Sequence, residues 1–213
     1  MSKILCIIPA RSGSKGIKNK NIIDFYGKPL VTHSINYAQK SDIKMDIIVS
    51  TDSLRYKKIA LNSGAKVPFI RPKELSLDLI TDYQVCFHAL IECQKIYNVE
   101  YNYIVWLRPT SPIRPPNLIN IGIELLEKNT ELESVRTVSV SKQHPLRQFY
   151  IKNNKLKTLT ESKLKEPFNQ PRQVFPTAYF QTGHMEVIRT SVIKSGSISG
   201  SSIAPIIVDN KFM

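Results

Sequence analysis

The chain has 213 residues, of which 42% are hydrophobic and 22% charged, and a formal net charge of +13. That length suits one domain, residues 1–213, with a substantial core and at most a small lobe built into it. No apolar run approaches the ~20 residues of a membrane-spanning helix. The cations are scattered rather than gathered into an arginine-rich run or a basic face interleaved with aromatics, which argues against nucleic acid and for a generally basic surface.

Ile4–Ile8 is short and apolar enough for a fully buried strand, and Met1-Ser2-Lys3 leads straight into it without the plan of a signal peptide. Cys6, Cys86 and Cys93 are odd in number with no CxxC, as expected of small core residues in a reducing compartment. A cytoplasmic protein is expected. After the first strand comes Pro9-Ala10-Arg11-Ser12-Gly13-Ser14-Lys15-Gly16-Ile17-Lys18-Asn19-Lys20-Asn21, a loop with two glycines and four cations. It has two readings. One is a solvated basic turn; the other is a polyphosphate cradle in which backbone N–H groups form an anion nest and Arg11, Lys15 and Lys20 neutralise charge. It is neither a Walker A loop nor a GxGxxG fingerprint.

Next, Pro29 at a first helical turn opens a helix with a buried stripe through Leu30, Ser34 and Ala38. Ile47–Val49 reads as a second strand, ending in Ser50-Thr51-Asp52-Ser53. Asp52 there suits a turn closure or a metal ligand. Ser53 is placed to cap a helix over Leu54–Asn62, closed by Gly64. Val67-Pro68-Phe69-Ile70 reads as a third, edge-leaning strand. Thr81-Asp82-Tyr83-Gln84 has capping-box spacing and opens a helix to about Tyr97. Tyr103–Leu107 is a further strand, broken by the proline-rich Arg108–Pro116. A helix over Asn117–Lys128 and a strand over Ser134–Val140 follow. Repeated strand, loop and helix with strands that barely alternate mean an α/β fold on a mostly parallel sheet, with ligands at the strands' carboxyl ends. The basic loop, Asp52, Arg71 and Arg108–Arg114 all fall at such ends.

Past residue 140 the pattern changes to a hairpin, Gln148–Lys152 and Leu156–Leu159 about Asn153-Asn154. A polar linker, a strand at His184–Arg189, a short helix near Ser191–Ser195 and a last strand at Ile206–Val208 complete the chain. Residues 141–180 read as an antiparallel excursion suited to oligomerisation. Several cationic loops at strand ends suit phosphoryl or nucleotidyl transfer, which needs charge neutralisation and in-line positioning more than covalent help. Arg71 and Arg108 suit either a phosphate or a substrate carboxylate, and Asn21 a phosphate or a base edge. The four histidines show no paired spacing, and only His184 falls near a bend where a site is expected.

Six ordered blocks resemble the acylneuraminate cytidylyltransferases, the synthetases of CMP-sialic acid and of its legionaminic and pseudaminic counterparts. They are Ile8–Gly16 with Lys20-Asn21, Val49–Asp52, Arg71–Leu75, Leu107–Arg114, Asn169–Gln173 and Phe180–His184. The resemblance implies a three-layer fold of the nucleotide-diphospho-sugar transferase type and a homodimer whose 141–180 lobe reaches toward the other subunit. It implies transfer of CMP from CTP to the anomeric hydroxyl of a nonulosonic acid, with release of pyrophosphate and with Mg²⁺ as cofactor. Arg11, Lys15 and Lys20 would be catalytic. Ala10, Arg11, Ser12, Gly13, Ser14, Lys15, Gly16, Lys20, Asn21, Arg71, Asp78 and Asp82 would hold the nucleotide. Arg108, Thr110, Ser111, Arg172, Gln181, Thr182 and Gly183 would shape the sugar side.

Two departures qualify the resemblance. Arg108 stands where the sialic acid synthetases carry glutamine, which fits the wider family better than sialic acid itself. The family's metal-binding Asp-x-Asp would follow Asp209, yet the sequence ends at Met213, so a truncated member is expected and Asp209 is left as the nearest, non-matching carboxylate. The alternatives are a catalytically silent CTP-binding or dimer-forming homologue, and a cytidylyltransferase for the eight-carbon acid of lipopolysaccharide cores.

Overall fold

The structure, a computed structural model, describes residues 2–213. A six-stranded sheet forms its centre, built from β1 (Ile4–Pro9), β4 (Asp46–Ser50), β5 (Tyr103–Trp106), β6 (Ser134–Val140), β9 (Tyr179–Arg189) and β10 (Ile203–Ile207), in the order β10-β6-β9-β5-β1-β4. β1 is parallel to both β4 and β5, and β10 is parallel to β6, while β9 runs antiparallel between β5 and β6. Two-residue strands β2 (Asp24–Phe25) and β3 (Lys28–Pro29) pair beside the basic loop, and β7 (Phe149–Lys152) and β8 (Lys155–Thr158) form the expected hairpin. Asn153 and Asn154 both take positive φ at its turn, the conformation a two-residue hairpin loop requires.

The parity of β1 sorts the layers. Cys6 and Ile8 face a core shared with α1 (Leu30–Gln39), α2 (Leu54–Asn62) and α4 (Leu118–Lys128). Leu5 and Ile7 face a second core under α3 (Asp82–Tyr97) and α5 (Thr190–Lys194). Both faces of the sheet are covered, which is why the strand sequences do not alternate. Gly122 lets α4 come close: a Cβ there would lie 2.7 Å from Val187 Cγ2. The helix starts follow local chemistry. Ser53 Oγ accepts from Tyr56 N–H, and Thr81 and Gln84 form the reciprocal capping box.

Three expectations are corrected. Val67–Ile70 is not a strand: only Lys66 bridges to Ile48, and Pro68, which has no N–H to give a ladder, leads the chain away to Arg71, whose N–H bonds Thr51 O at 2.8 Å. The strand expected at His184–Arg189 begins at Tyr179, so Tyr179 and Phe180 pair with Val140 and Ser139 in the central sheet rather than belonging to the excursion. The last strand begins at Ile203 and ends before Val208, with Pro205 tolerated because β10 is an edge. No helix among the described residues is long and apolar enough to cross a membrane.

All three cysteines are free and buried. Burial pushes the Cys6 and Cys93 thiols up to about 12 and Cys86 well above its ordinary value. The thiolate is the reactive form and is absent below those values, so at pH 8 the folded protein should leave a disulfide reagent such as DTNB unconsumed over minutes. The unfolded chain should titrate all three thiols. Rapid reaction of the native protein would contradict this packing.

Candidate functional site

Because β1, β4 and β5 are parallel, their carboxyl ends open on one side of the sheet, and the segments beyond them enclose a cleft of about 400 Å³. Arg11, Ser14, Lys15, Gly16, Lys20 and Asn21 line it from the loop after β1. Arg71 enters from the segment after α2, Asp78 and Asp82 from the approach to α3, and Arg108 and Thr110 from the segment after β5. The sequence expectation thus converges in one place for eleven residues.

The loop is anchored at its two ends. Ala10 N–H donates to Ser50 O at 2.9 Å, prolonging the β1–β4 pairing by one residue. Asp52 then accepts from Ser12 N–H and Ser12 Oγ, each at 2.8 Å. At the far end, the buried Asn21 amide donates to Arg11 O at 3.0 Å. Between the anchors, a Cβ on Gly13 or Gly16 would meet nothing within 4 Å, so the space over the loop is open. Asp52 therefore closes a turn.

Each cation in the cleft has a different counter-group. Arg11 and Lys15 share Asp78, at 2.9 and 2.5 Å, and Lys15 foremost holds that carboxyl below its ordinary value. The Lys15 side chain is 82% exposed and Asp78 35%, so water competes for the pair and a polyanion could replace it. Arg71 is buried at 3% exposure; its Nη2 donates to Ser50 O at 3.1 Å while its Nε has no partner. Burial lowers Arg71 to about 10, against the pull of Asp52, which leaves it charged at neutral pH.

Arg108 is gripped from two sides, by Asp82 at 2.6 Å and by Glu186. Burial opposes its charge, yet the two carboxylates outweigh that and hold it above its ordinary value. Glu186, 1% exposed, also takes Arg136 through Nε at 3.1 Å and Nη2 at 2.7 Å. Removing one partner of so buried a pair costs about 3–5 kcal/mol. Glu186 and Arg136 were absent from the sequence reading, although a carboxylate inside the apolar Met185-Glu186-Val187-Ile188 was a usable signal. Arg114 is buried too, lowered by burial to about 10, and its Nε and Nη2 hold His184 O and Arg108 O, both at 2.7 Å.

The expected sugar-side residues divide. Thr110 lines the cleft. Ser111 Oγ donates to Thr182 O at 3.0 Å, and Thr182 Oγ1 bonds Thr137 behind the sheet end. Gly183 has φ +73° at the β9 irregularity, and a Cβ there would press on Ser111 Oγ at 3.2 Å. Gln181 bonds Arg136 and Glu186. Arg172 is elsewhere, in a separate pocket with His144, Arg147 and Phe175. His184 faces Phe212 O at 3.1 Å rather than the cleft, and burial lowers its pKa.

A divalent cation finds no cage here. Asp78 and Asp82 line the cleft but are each paired with cationic side chains, and no three His, Cys, Asp or Glu side chains gather in a metal-binding group among the described residues. Asp209 is engaged with Lys211, accepting from its N–H at 2.9 Å. The residues present do not fit a magnesium site. The arrangement they do form can neutralise a chain of phosphates with Arg11, Lys15 and Lys20 and meet a second anion with Arg108.

A family model described as "Cytidylyltransferase" matches residues 5–195. A pseudaminic acid cytidylyltransferase of Campylobacter jejuni is 38% identical over 153 residues, 71% of this chain and 65% of that protein. An N-acylneuraminate cytidylyltransferase of Escherichia coli is 38% identical over 140 residues, 66% of this chain and 32% of that protein. The chain therefore spans less than two thirds of either relative. The fold is that of a CMP:2-keto-3-deoxy-manno-octonic acid synthetase solved with CTP, with a TM-score of 0.69 at 16% identity over 97% of this chain and 90% of that one.

Asp78 occupies the two cations that a polyphosphate would use. Asp78→Asn should tighten binding of inorganic tripolyphosphate by roughly two- to fivefold in calorimetry at low salt, with the gain shrinking as salt is raised. Unchanged or weaker binding would show that Asp78 is not a competitor.

Proposed function

The chain belongs to the cytidylyltransferase family, and on that footing we propose that it transfers CMP from CTP to the anomeric hydroxyl of a nonulosonic acid, releasing pyrophosphate. The observation that carries the reading is the cleft at the carboxyl ends of β1, β4 and β5, where three separate segments bring Arg11, Lys15, Lys20, Arg71 and Arg108 around one volume. The activities of the pseudaminic acid and N-acylneuraminate relatives suggest the substrate class, a nonulosonic acid.

In this reading Arg11, Lys15 and Lys20 bind the β- and γ-phosphates, with Asp78 released from its pairs as the nucleotide enters. Buried Arg71, whose Nε is unpartnered, lies on the nucleotide side. The acceptor's hydroxyl oxygen attacks the α-phosphorus in line and gives its proton to water, the bond to the bridging oxygen breaks, and pyrophosphate leaves with its new charge held by the loop cations. Arg108, with Thr110 beside it, meets the acceptor's carboxylate. The chain works as a cytoplasmic homodimer, a reading supported by the free thiols and by the exposed apolar side chains of the β7–β8 hairpin, Ile151 and Leu156. Magnesium is proposed as an accompaniment of the triphosphate, with no step assigned to it.

The test is pyrophosphate release from CTP with pseudaminic, legionaminic or N-acetylneuraminic acid, in buffer containing magnesium. Acid-dependent release with CTP, lost on replacing CTP by UTP, is expected. Release with the eight-carbon acid alone, or CTP binding with no turnover for any nonulosonic acid, would overturn it.

A further inference from the structure

The sheet register sets three residues in a row across three strands. Arg136 on β6 is opposite Glu186 on β9, and Glu186 is opposite Trp106 on β5. Opposed residues share a face, here the face under α3, and Arg108 stands two residues beyond Trp106. Glu186 thereby reaches both guanidinium groups from inside the sheet. Its Oε1 accepts from Arg108 Nη1 and from Gln181 Nε2 at 3.2 Å, and its Oε2 accepts twice from Arg136. Arg136 is itself fixed, donating to Gln181 Oε1 at 3.2 Å and to Ser199 Oγ. Glu186 has no free lone-pair direction left for a ligand, and at 1% exposure no route to one.

The two partners of Arg108 differ in kind. Glu186 is immobile, held by four donors in a packed strand. Asp82 stands at the mouth of the cleft with its side chain 47% exposed, at the first position of α3. The guanidinium is therefore clamped at Nη1, while Nη2 faces a carboxylate that solvent can reach. Counting Arg108, Arg136, Glu186 and Asp82, the cluster is neutral; with Asp82 turned away, it presents one positive charge at the cleft wall.

We propose that Glu186 is a positioning residue for the acid acceptor: it holds Arg108 so that Nη2 exchanges Asp82 for the acceptor's carboxylate. This rests on the reading of the chain as a CMP transferase to a nonulosonic acid. No bond is made or broken by Glu186; the exchange replaces one carboxylate by another on the same donor.

Steady-state kinetics of Glu186→Gln and Glu186→Asp separate this role from a merely structural one. Wild type is assayed first for acid-dependent pyrophosphate release; no release would defeat the functional reading and this proposal with it. Given wild-type turnover, E186Q should raise KM for the acid about tenfold or more while KM for CTP stays within about twofold, because only the acid-facing arginine is released. Glu186→Asp keeps the charge and draws Arg108 back by one methylene, so it should fall between the two. If E186Q does not fold, E186D alone decides. An acid KM equal to wild type in the folded variants, or acid and CTP KM rising in parallel, would overturn the proposal while leaving the transferase reading intact.

Discussion

The contact on which the cleft depends is the two-pronged acceptance of Ser12 by Asp52, N–H and Oγ both at 2.8 Å. It joins the third residue past β1 to the second past β4, two strands already in parallel register from Leu5↔Asp46 to Pro9↔Ser50. A charged acceptor makes the stronger kind of hydrogen bond, and two of them fix direction as well as distance. With Ser12 held, the segment from Gly13 to Lys20 must arch over the strand ends instead of lying back on the surface. The end of β4 also seats Arg71, which bonds Ser50 O through Nη2 and Thr51 O through its N–H.

Crowding those cations is costly, and the fold answers the cost in graded ways. Buried Arg71 leans on a backbone carbonyl and the nearby Asp52, and burial brings it down to about 10 without neutralising it. Arg11 and Lys15 share one partly exposed carboxylate, a pairing that water and salt weaken. Arg108 has one partner inside the sheet, Glu186, and one at the rim, Asp82. The gradient from fixed to exchangeable counter-groups follows burial and runs toward the open side of the cleft. A site that releases only its outer carboxylates can accept polyanions without the inner scaffold loosening.

Much of this was legible in the sequence because it is local. Leu54–Asn62 follows from Ser53 as cap, the long helix from the Thr81–Gln84 box, and the hairpin from Asn153-Asn154, each encoded within a few residues. The convergence of the basic loop, Arg71 and Arg108 followed from one topological rule about the ends of parallel strands. What escaped was non-local. Val67–Ile70 had strand composition, but Pro68 and the pull of Arg71 toward Thr51 left only a single bridge at Lys66. Arg172 shared a block with the site-like segments yet sits in another pocket, since nothing in its neighbourhood reports which side of the 141–178 excursion it faces. Glu186 and Arg136 are 50 residues apart and meet only through an antiparallel register that interrupts the parallel order.

Asp52 holds the loop through Ser12 and does not line the cleft, so its removal should act on a ligand only through the loop. Calorimetric titration of CTP into the wild-type chain and into Asp52→Ala measures this directly. CTP binding should weaken by about tenfold or more, worth about 1.4 kcal/mol, while the circular dichroism spectrum of the folded sheet is retained. Equal affinity for CTP in a folded Asp52→Ala protein would contradict it.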